Sequence, residues 1–154
     1  MNYLKSGAIC VLLSFCLLNV QAQSTASPTE PDYNKPKLFA DLADRHTINV
    51  ADLELLFALP VGQTINASLS ASFPFRGTIV SKSDPADANL KSVIIKSTNR
   101  LGATFGFTRL QKEDGSFIYR GRMISNAHSD AFDIEWEAGQ YVLVKKHTLK
   151  LINE

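Results

Sequence analysis

Hydrophobic and polar residues alternate with a period of two through most of the chain after Gly62. In the segment 63–70, for example, Ile65, Ala67 and Leu69 are separated by polar residues. Such alternation is typical of a β-strand that is covered on one face only. The same pattern, interrupted by turn-forming residues, predicts further strands at 75–81, 90–98, 103–111, 116–125, 131–137 and 140–147.

The turn at residues 113–115 allows a strand register to be predicted. A two-residue loop there would place Arg109 opposite Arg120, and these like charges repel each other. A three-residue loop with Gly115 in the left-handed conformation avoids that clash of charges. The three-residue loop pairs Leu110 with Ile118, Phe107 with Gly121 and Phe105 with Met123.

The turn at residues 138–139 predicts a second hairpin. A two-residue loop at Ala138 and Gly139 pairs Trp136 with Tyr141 and Ile134 with Leu143. We expect that face of the hairpin to belong to the core. On the opposite face, Asp133, Glu135 and Glu137 then point to solvent.

A single short helix precedes the strands. Asn49 is a suitable N-cap, and Pro60 prevents the helix from continuing. Asp52 lies near the positive end of the helix dipole. The expected buried stripe consists of Leu53, Leu56, Phe57 and, less centrally, Val50, while Ile48 and Leu53 occupy the positions of a hydrophobic staple.

These elements predict a mainly β fold of the α+β type. We expect an antiparallel meander or a partly closed barrel of about six to seven strands, with one short N-terminal helix. Whether the sheet closes into a barrel or curls over the helix stays open at this level. The predicted domain spans residues 38–152, which is long enough for one hydrophobic core.

The N-terminus has the pattern of a cleavable signal peptide over residues 1–22. Lys5 supplies a positive charge, residues 8–18 form an apolar core, and residues 20–22 provide a cleavage site with small residues. The apolar core is too short for a transmembrane anchor. Residues 23–37 are rich in Ser, Thr and Pro and predict a flexible leader. We therefore expect a secreted protein, either periplasmic or extracellular.

Charge and cysteine content exclude several classes of protein. The chain of 154 residues has 16 Lys and Arg against 15 Asp and Glu, which is too balanced for a nucleic-acid-binding surface. Both cysteines, Cys10 and Cys16, lie within the predicted signal peptide. The mature chain then has no disulfide and no cysteine ligand for a metal.

No catalytic constellation emerges from the ionisable residues. The acidic residues Asp130, Asp133, Glu135 and Glu137 suggest either a metal or carboxylate-pair site or the solvated face of a strand, and alternation favours the solvated face for the last three. His128, Ser129 and Asp130 are triad residue types, but adjacent residues in a turn rarely converge. His46 and His147 are isolated. We predict a protein without enzymatic activity, metal or cofactor.

Basic and aromatic residues on the later strands suggest a binding surface. Arg120 and Arg122 project from one strand face, and Lys145 and Lys146 follow two strands later. Guanidinium groups beside aromatic rings bind carboxylates, sulfated sugars or peptides. The alternative is that these charges only protect the sheet exterior from pairing with other chains. The predicted binding residues are Arg120, Arg122, Trp136 and Tyr141.

Part of the chain resembles a known type of domain. The segment 73–77 is followed by Ser81, and 115–122 by Ser125, so that an aromatic-x-Gly unit precedes a small polar residue in both, and the segment 141–143 comes after them. This cadence is similar to the β-rich propeptide regions of bacterial secreted metalloproteases. The resemblance implies a stand-alone bacterial module that binds or inhibits a secreted peptidase.

Two functions follow as hypotheses. The first is a non-catalytic secreted module that binds a protein or peptide through an open sheet edge or through the face of Arg120 and Arg122. The second is a small-ligand carrier or small enzyme whose site lies inside the barrel, lined by Trp136, Tyr141, Phe105 and Phe107. The sequence leaves the oligomeric state and the identity of the partner open.

Overall fold

The structure is a computed structural model that describes residues 34–147. The predicted signal peptide, the leader up to residue 33 and the predicted last residues of the domain, 148–152, lie outside the described residues. In the described part, no helix is both long and apolar enough to cross a membrane.

The described residues form one curled antiparallel sheet, a half-barrel, with a single short helix packed against its inner face. This confirms the predicted fold class. The strands are β1 (Arg45–Thr47), β2 (Thr64–Ser70), β3 (Phe73–Lys82), β4 (Leu90–Ser97), β5 (Thr104–Gln111), β6 (Phe117–Ile124), β7 (Asp130–Glu137) and β8 (Gln140–His147). Their order across the sheet is β1-β8-β7-β6-β5-β4-β3-β2, so β2 to β8 form a meander.

The predicted count of six to seven strands is wrong, because the sheet has eight. The missed strand is β1, which has three residues and lies before the helix. It pairs with β8, with Arg45 opposite Val144 and Thr47 opposite Val142. A strand this short has no alternation to recognise, and only its long-range pairing with the last strand makes it part of the sheet.

The helix forms where the capping residues predict it. Helix α1 (Val50–Glu54) continues as a 3-10 helix over Leu55–Ala58. The side chain of Asn49 accepts a hydrogen bond from the backbone N–H of Ala51 at 3.1 Å, which satisfies one of the free donors of the first turn. Leu53 and Leu56 are buried, as the stripe requires.

The β5–β6 hairpin has the predicted register. Phe105 pairs with Met123, Phe107 with Gly121 and Leu110 with Ile118. Gly115 adopts a φ of 80°, a conformation that residues with a Cβ rarely adopt. The prediction of a three-residue loop is therefore confirmed.

Aromatic rings fill the inner face of the sheet. Phe75, Phe105 and Phe107 have no exposed surface. Phe107 stacks on Phe57 of the 3-10 helix at a centroid distance of 5.1 Å and on Tyr119 of β6 at 5.9 Å. These contacts attach the helix to the centre of the sheet and make its inner face a packed core.

His46 links the two ends of the sheet. It lies on edge strand β1, is 5% exposed, and its Nδ1 is 3.0 Å from the hydroxyl of Ser72, which lies between β2 and β3. The ring packs against Phe73 and Phe132 at centroid distances of 5.3 and 5.7 Å. Hydrogen bonding across this gap completes the curl without backbone pairing between β1 and β2.

Candidate functional site

Strands β6 and β7 separate after a short stretch of pairing. Their register is confined to Arg122–Asp133 and Met123–Phe132. On its other side, β7 pairs with β8 without a break from Asp130–His147 to Glu137–Gln140. The separation leaves a cavity of about 540 Å³, which we call the β6–β7 cleft.

The β6–β7 cleft brings the predicted binding residues together. Arg120, Arg122, Trp136 and Tyr141 all line it. They come from three strands, and the sequence separates the arginines from the aromatic residues by more than a dozen positions. A volume of this size is typical of sites that hold a small molecule or a few side chains.

The prediction that Trp136 belongs to the core is wrong, although its pairing with Tyr141 is confirmed. The Trp136 side chain is 62% exposed. It lies near the end of β7, where β6 has moved away and no longer covers it. The indole packs edge to face on Tyr141 at a centroid distance of 4.7 Å, so it is held in place while its outer surface faces solvent.

Tyr141 extends from β8 across the space between β7 and β6. Its hydroxyl accepts a hydrogen bond from the backbone N–H of Tyr119 at 3.2 Å. In a continuous sheet that N–H would bind a carbonyl of the neighbouring strand. A side-chain hydroxyl therefore takes the place of a backbone acceptor in the cleft.

Most charges of the cleft are neutralised by neighbours. Arg122 donates two hydrogen bonds to Asp133, at 2.7 and 2.9 Å, and Glu135 pairs with Lys146 at 2.6 Å. Arg120 is exposed and forms no hydrogen bond or ion pair with any residue in the range 34–147. Among residues 34–147, the guanidinium of Arg120 is thus the one in the cleft that no carboxylate compensates.

Lys145 does not join this basic surface, contrary to the prediction. Neighbouring residues of a strand point to opposite faces, so Lys145 and Lys146 diverge. The Lys145 ammonium donates to the carbonyl oxygen of Leu42 and lies 3.2 Å from a carboxylate oxygen of Asp44. It serves to attach the segment before β1 to the sheet.

A polar cluster supports the cleft from below. Tyr119 donates from its hydroxyl to Glu54 of helix α1 at 2.5 Å, and Arg109 donates to the same carboxylate at 3.1 Å. Burial, together with the hydrogen bond to Glu54, raises the pKa of Tyr119 to about 12. The hydrogen bond from Tyr119, reinforced by Arg109, lowers the pKa of Glu54. The helix is therefore fastened to the strand that forms one wall of the cleft.

The triad-like residues point to separate partners. His128 Nδ1 lies 2.8 Å from the hydroxyl of Ser125, and the backbone N–H of Ser129 donates to the carbonyl of Pro36. Asp130 is 2% exposed and accepts hydrogen bonds from the backbone N–H groups of Leu38 and Phe39 at 2.7 and 2.9 Å. Asp130 thus anchors the start of β7 and does not belong to a solvated face.

The other three acidic residues lie on the outer face, as alternation predicts. Asp133 and Glu135 pair with cations of the neighbouring strands, and Glu137 pairs with Arg45. Among residues 34–147, no group of three His, Cys, Asp or Glu side chains is arranged to hold a metal ion.

Most residues that line the cleft were not among the predicted site residues, and Gly106 and Tyr119 are two examples. Gly106 lines it, and a Cβ built on this glycine would have no neighbour within 4 Å. Tyr119 contributes its backbone N–H and its ring. A glycine inside a strand pattern is a signal of open space or close approach, so Gly106 was recognisable, whereas the role of Tyr119 depends on the separation of β6 from β7.

Comparison of the chain with protein-family models, with curated proteins and with solved structures gives no match. The functional argument therefore rests on the geometry and chemistry of the β6–β7 cleft.

Proposed function

We propose that the protein is a non-catalytic binding module that holds a segment of a protein or peptide in the β6–β7 cleft. The observation that carries this proposal is the exposed Trp136, which Tyr141 holds in a fixed orientation in the same cleft as Arg120, a residue without a partner in the described part of the chain. Tryptophan and arginine are the residues most enriched among those that dominate binding energy in protein interfaces.

The rigidity of the aromatic pair supports the proposal. Tyr141 contacts Tyr119 edge to face at 5.4 Å, and Tyr119 in turn stacks on the buried Phe107. Trp136 therefore lies at the exposed end of a run of rings that begins in the core. A side chain ordered in advance loses little conformational entropy when a partner covers it.

The packing of the inner face favours the cleft over a site inside the barrel. Phe105 and Phe107 were the predicted lining of an interior site, and both have no exposed surface. They stack on each other at 6.2 Å and on other rings. Side chains packed in this way fill volume, whereas a ligand carrier keeps its interior open.

Export of the protein and a secreted peptidase as its partner stay predictions. Export follows from the pattern of residues 1–22, and the peptidase follows from the resemblance to protease propeptides. Both agree with a binding module, since such a module needs no catalytic group of its own.

A random peptide library displayed on phage tests the proposal. We expect selection on the full chain to enrich peptides whose binding to the Trp136→Ala variant is at least tenfold weaker. The matched control is Leu101→Ala, since Leu101 is 77% exposed on a turn outside the cleft. The affinity of the Leu101→Ala variant for the same peptides should stay within twofold of the wild-type affinity.

Two results would overturn the proposal. One is a selection that enriches nothing over a blank surface. The other is a set of enriched peptides that bind Trp136→Ala as tightly as the wild type. Circular dichroism of both variants separates a loss of binding from a loss of folding.

A further inference from the structure

The edge of β6 that faces the β6–β7 cleft has the properties of an acceptor for another strand. This inference rests on the proposed function and specifies what the cleft binds. The register with β7 stops at Arg122–Asp133, so residues 117–120 of β6 have a strand on one side only. Sheet edges of this kind bind extended peptides through backbone hydrogen bonds.

The direction of the backbone groups is known from one contact. The N–H of Tyr119 points towards β7, because the Tyr141 hydroxyl that accepts it lies on that side. Alternate residues of an antiparallel strand direct their backbone groups to the same neighbour. Phe117 therefore also faces the cleft with its backbone groups, whereas those of Gly121 flank the Arg122–Asp133 pair and belong to the pairing with β7. Because the N–H of Tyr119 is bonded to the Tyr141 hydroxyl, an added strand would replace that hydroxyl with one of its own carbonyl oxygens.

The charge of the cleft selects the chemistry of the segment. Arg122 and Glu135 are each satisfied by a partner within the protein. Arg120 projects from the outer face beside them and has no partner among the described residues. A carboxylate is the group that a free guanidinium binds best, through two parallel hydrogen bonds.

The two faces of the cleft differ in polarity. Arg120 lies on the outer face, whereas Trp136 and Tyr141 lie on the side that continues into the core. Successive side chains of a strand point to opposite faces. A segment that alternates acidic and apolar residues therefore places carboxylates towards Arg120 and apolar groups towards the rings.

We infer that the β6–β7 cleft binds an extended peptide segment of alternating acidic and apolar residues, which adds to β6 as a short strand. The segment takes the place from which β7 has moved away. Its carboxylate pairs with Arg120, and its neighbouring apolar side chain packs on Trp136 and Tyr141.

Anisotropy titrations with fluorescein-labelled peptides test the charge preference. The probes are capped six-residue peptides in which valine alternates with glutamate, with lysine or with glutamine. We expect the glutamate peptide to bind at least about tenfold more tightly than the lysine peptide, because a charge-assisted hydrogen bond contributes that much to affinity. The emission of Trp136, the single tryptophan of the chain, should shift to shorter wavelength on binding.

Two variants of the protein test the role of Arg120. Arg120→Glu should reverse the preference between the glutamate and lysine peptides, and Arg120→Gln should abolish it. The control is Lys96→Glu, which makes the same change of charge on an exposed residue of β4 outside the cleft. It should leave the order of affinities unchanged.

Backbone methylation tests strand addition. Two versions of the glutamate peptide carry N-methyl groups at either the odd or the even positions, so that each blocks one edge of the peptide strand. We expect one version to bind at least tenfold more weakly and the other to bind within about threefold, because only one edge faces β6. Equal behaviour of the two versions would overturn strand addition.

The outcomes separate the inference from the proposed function. If all three peptides bind equally and Trp136→Ala still weakens them, the acidic preference is wrong and the binding module stands. If none of them binds, while library peptides are enriched and depend on Trp136, the inference fails alone. If neither these peptides nor any library peptide binds, both fail.

Discussion

β5 and β7 are the two neighbours of β6, and they pair with it over very different lengths. The register of β5 with β6 runs without a break from Thr104–Ile124 to Gln111–Phe117. The register of β7 with β6 stops after Arg122–Asp133 and Met123–Phe132. Pairs of strands that are consecutive in the chain can thus end as a closed hairpin or as an open cleft.

The difference follows from what else holds each strand. A tight loop with Gly115 in the left-handed conformation commits β6 to β5 along its whole length. The hairpin at Ala138 and Gly139 pairs β7 with β8, and Asp130, the first residue of β7, accepts hydrogen bonds from the backbone N–H groups of residues 38 and 39. The sheet therefore consists of two well-paired parts that meet only where the chain passes from β6 to β7.

The largest expected effect is on the free energy of unfolding, and it distinguishes the ring of Phe107 on β5 from the ring of Trp136 on β7. Phe107→Ala should lower the free energy of unfolding by about 3–5 kcal/mol, because Phe107 is fully buried and packed between other rings. Trp136→Ala should cost about 1 kcal/mol or less, the contribution of a single exposed ring contact. Urea denaturation measures both. Equal losses would mean that Trp136 belongs to the core after all.

Two glycines on the neighbouring strands β5 and β6, Gly106 and Gly121, provide a sharper test. A Cβ on Gly121 would lie 2.6 Å from Cδ1 of Ile134 on β7 and 3.0 Å from the carbonyl oxygen of Gly106. Gly121→Val should therefore cost about 1–3 kcal/mol by forcing the strands further apart. Gly106→Val is the matched control, because its Cβ meets nothing within 4 Å. It should leave the stability unchanged or slightly higher, while it obstructs the cleft.

The Gly106→Val variant also allows a prediction for peptide binding. Gly106→Val should weaken the binding of peptides selected on the wild type without lowering the thermal stability, because residue 106 lines the cleft and does not support the fold. A Gly106→Val protein that is as destabilised as Gly121→Val would contradict the described separation of the strands.

The polar cluster below the cleft predicts a pH dependence at the alkaline end. The pKa of Tyr119 is raised to about 12, so the tyrosine makes its full contribution to the free energy of unfolding below the ordinary tyrosine pKa of about 10. That contribution is lost as the pH rises from about 10 through 12. The difference in unfolding free energy between wild type and Tyr119→Phe should shrink by about 1 kcal/mol over this range, since solvent screens a partly exposed pair.

The pH dependence of stability at the acid end, which involves Glu54, has the opposite sign. The lowered pKa of Glu54 means that its contribution is present above the ordinary glutamate value and is lost as the pH falls through the folded-state pKa. Glu54→Gln should remove that acid dependence. A pH profile of Glu54→Gln that matches the wild type at low pH would show that the carboxylate is not held by Tyr119 and Arg109.

The smallest expected effect concerns the hairpin that carries Trp136. Ala138 has a φ of 47° and Gly139 a φ of 84°, the conformation of a type I′ turn. Asparagine tolerates this conformation better than alanine, so Ala138→Asn should stabilise the protein by about 0.5–1 kcal/mol. Thermal unfolding measures the gain. Gly139→Ala should destabilise the same turn, and a loss of stability in both variants would contradict this conformation.

Much of the fold was predictable because it depends on neighbours in the chain. The turns at 113–115 and 138–139 set the pairing of Phe107 with Gly121 and of Trp136 with Tyr141. Asn49 and Pro60 indicated where the helix begins and why it stops. The pattern also placed Arg120 and Arg122 on one face, although it could not show that only Arg122 has a partner in β7.

What depended on distant parts of the chain was not predictable. The position of β7 is set by hydrogen bonds between Asp130 and backbone groups about ninety residues earlier, which leave no local signal. The exposure of Trp136 follows from that position, because alternation tells which face a residue occupies and not whether another strand covers it. β1 was missed for the same reason, since its three residues become a strand only by pairing with β8.

By itself the sequence determined the seven strands of the meander, their order, the register of the tight hairpins and the capped helix, all of which follow from alternation and turn geometry within about twenty residues. Only the tertiary structure decided that β6 and β7 part, that Tyr141 rather than a strand carbonyl binds the N–H of Tyr119, and that Arg120 lines the cleft without a partner among the described residues. The physical reason is competition: each strand has two edges and limited length, and which neighbour it follows depends on the summed long-range contacts of both.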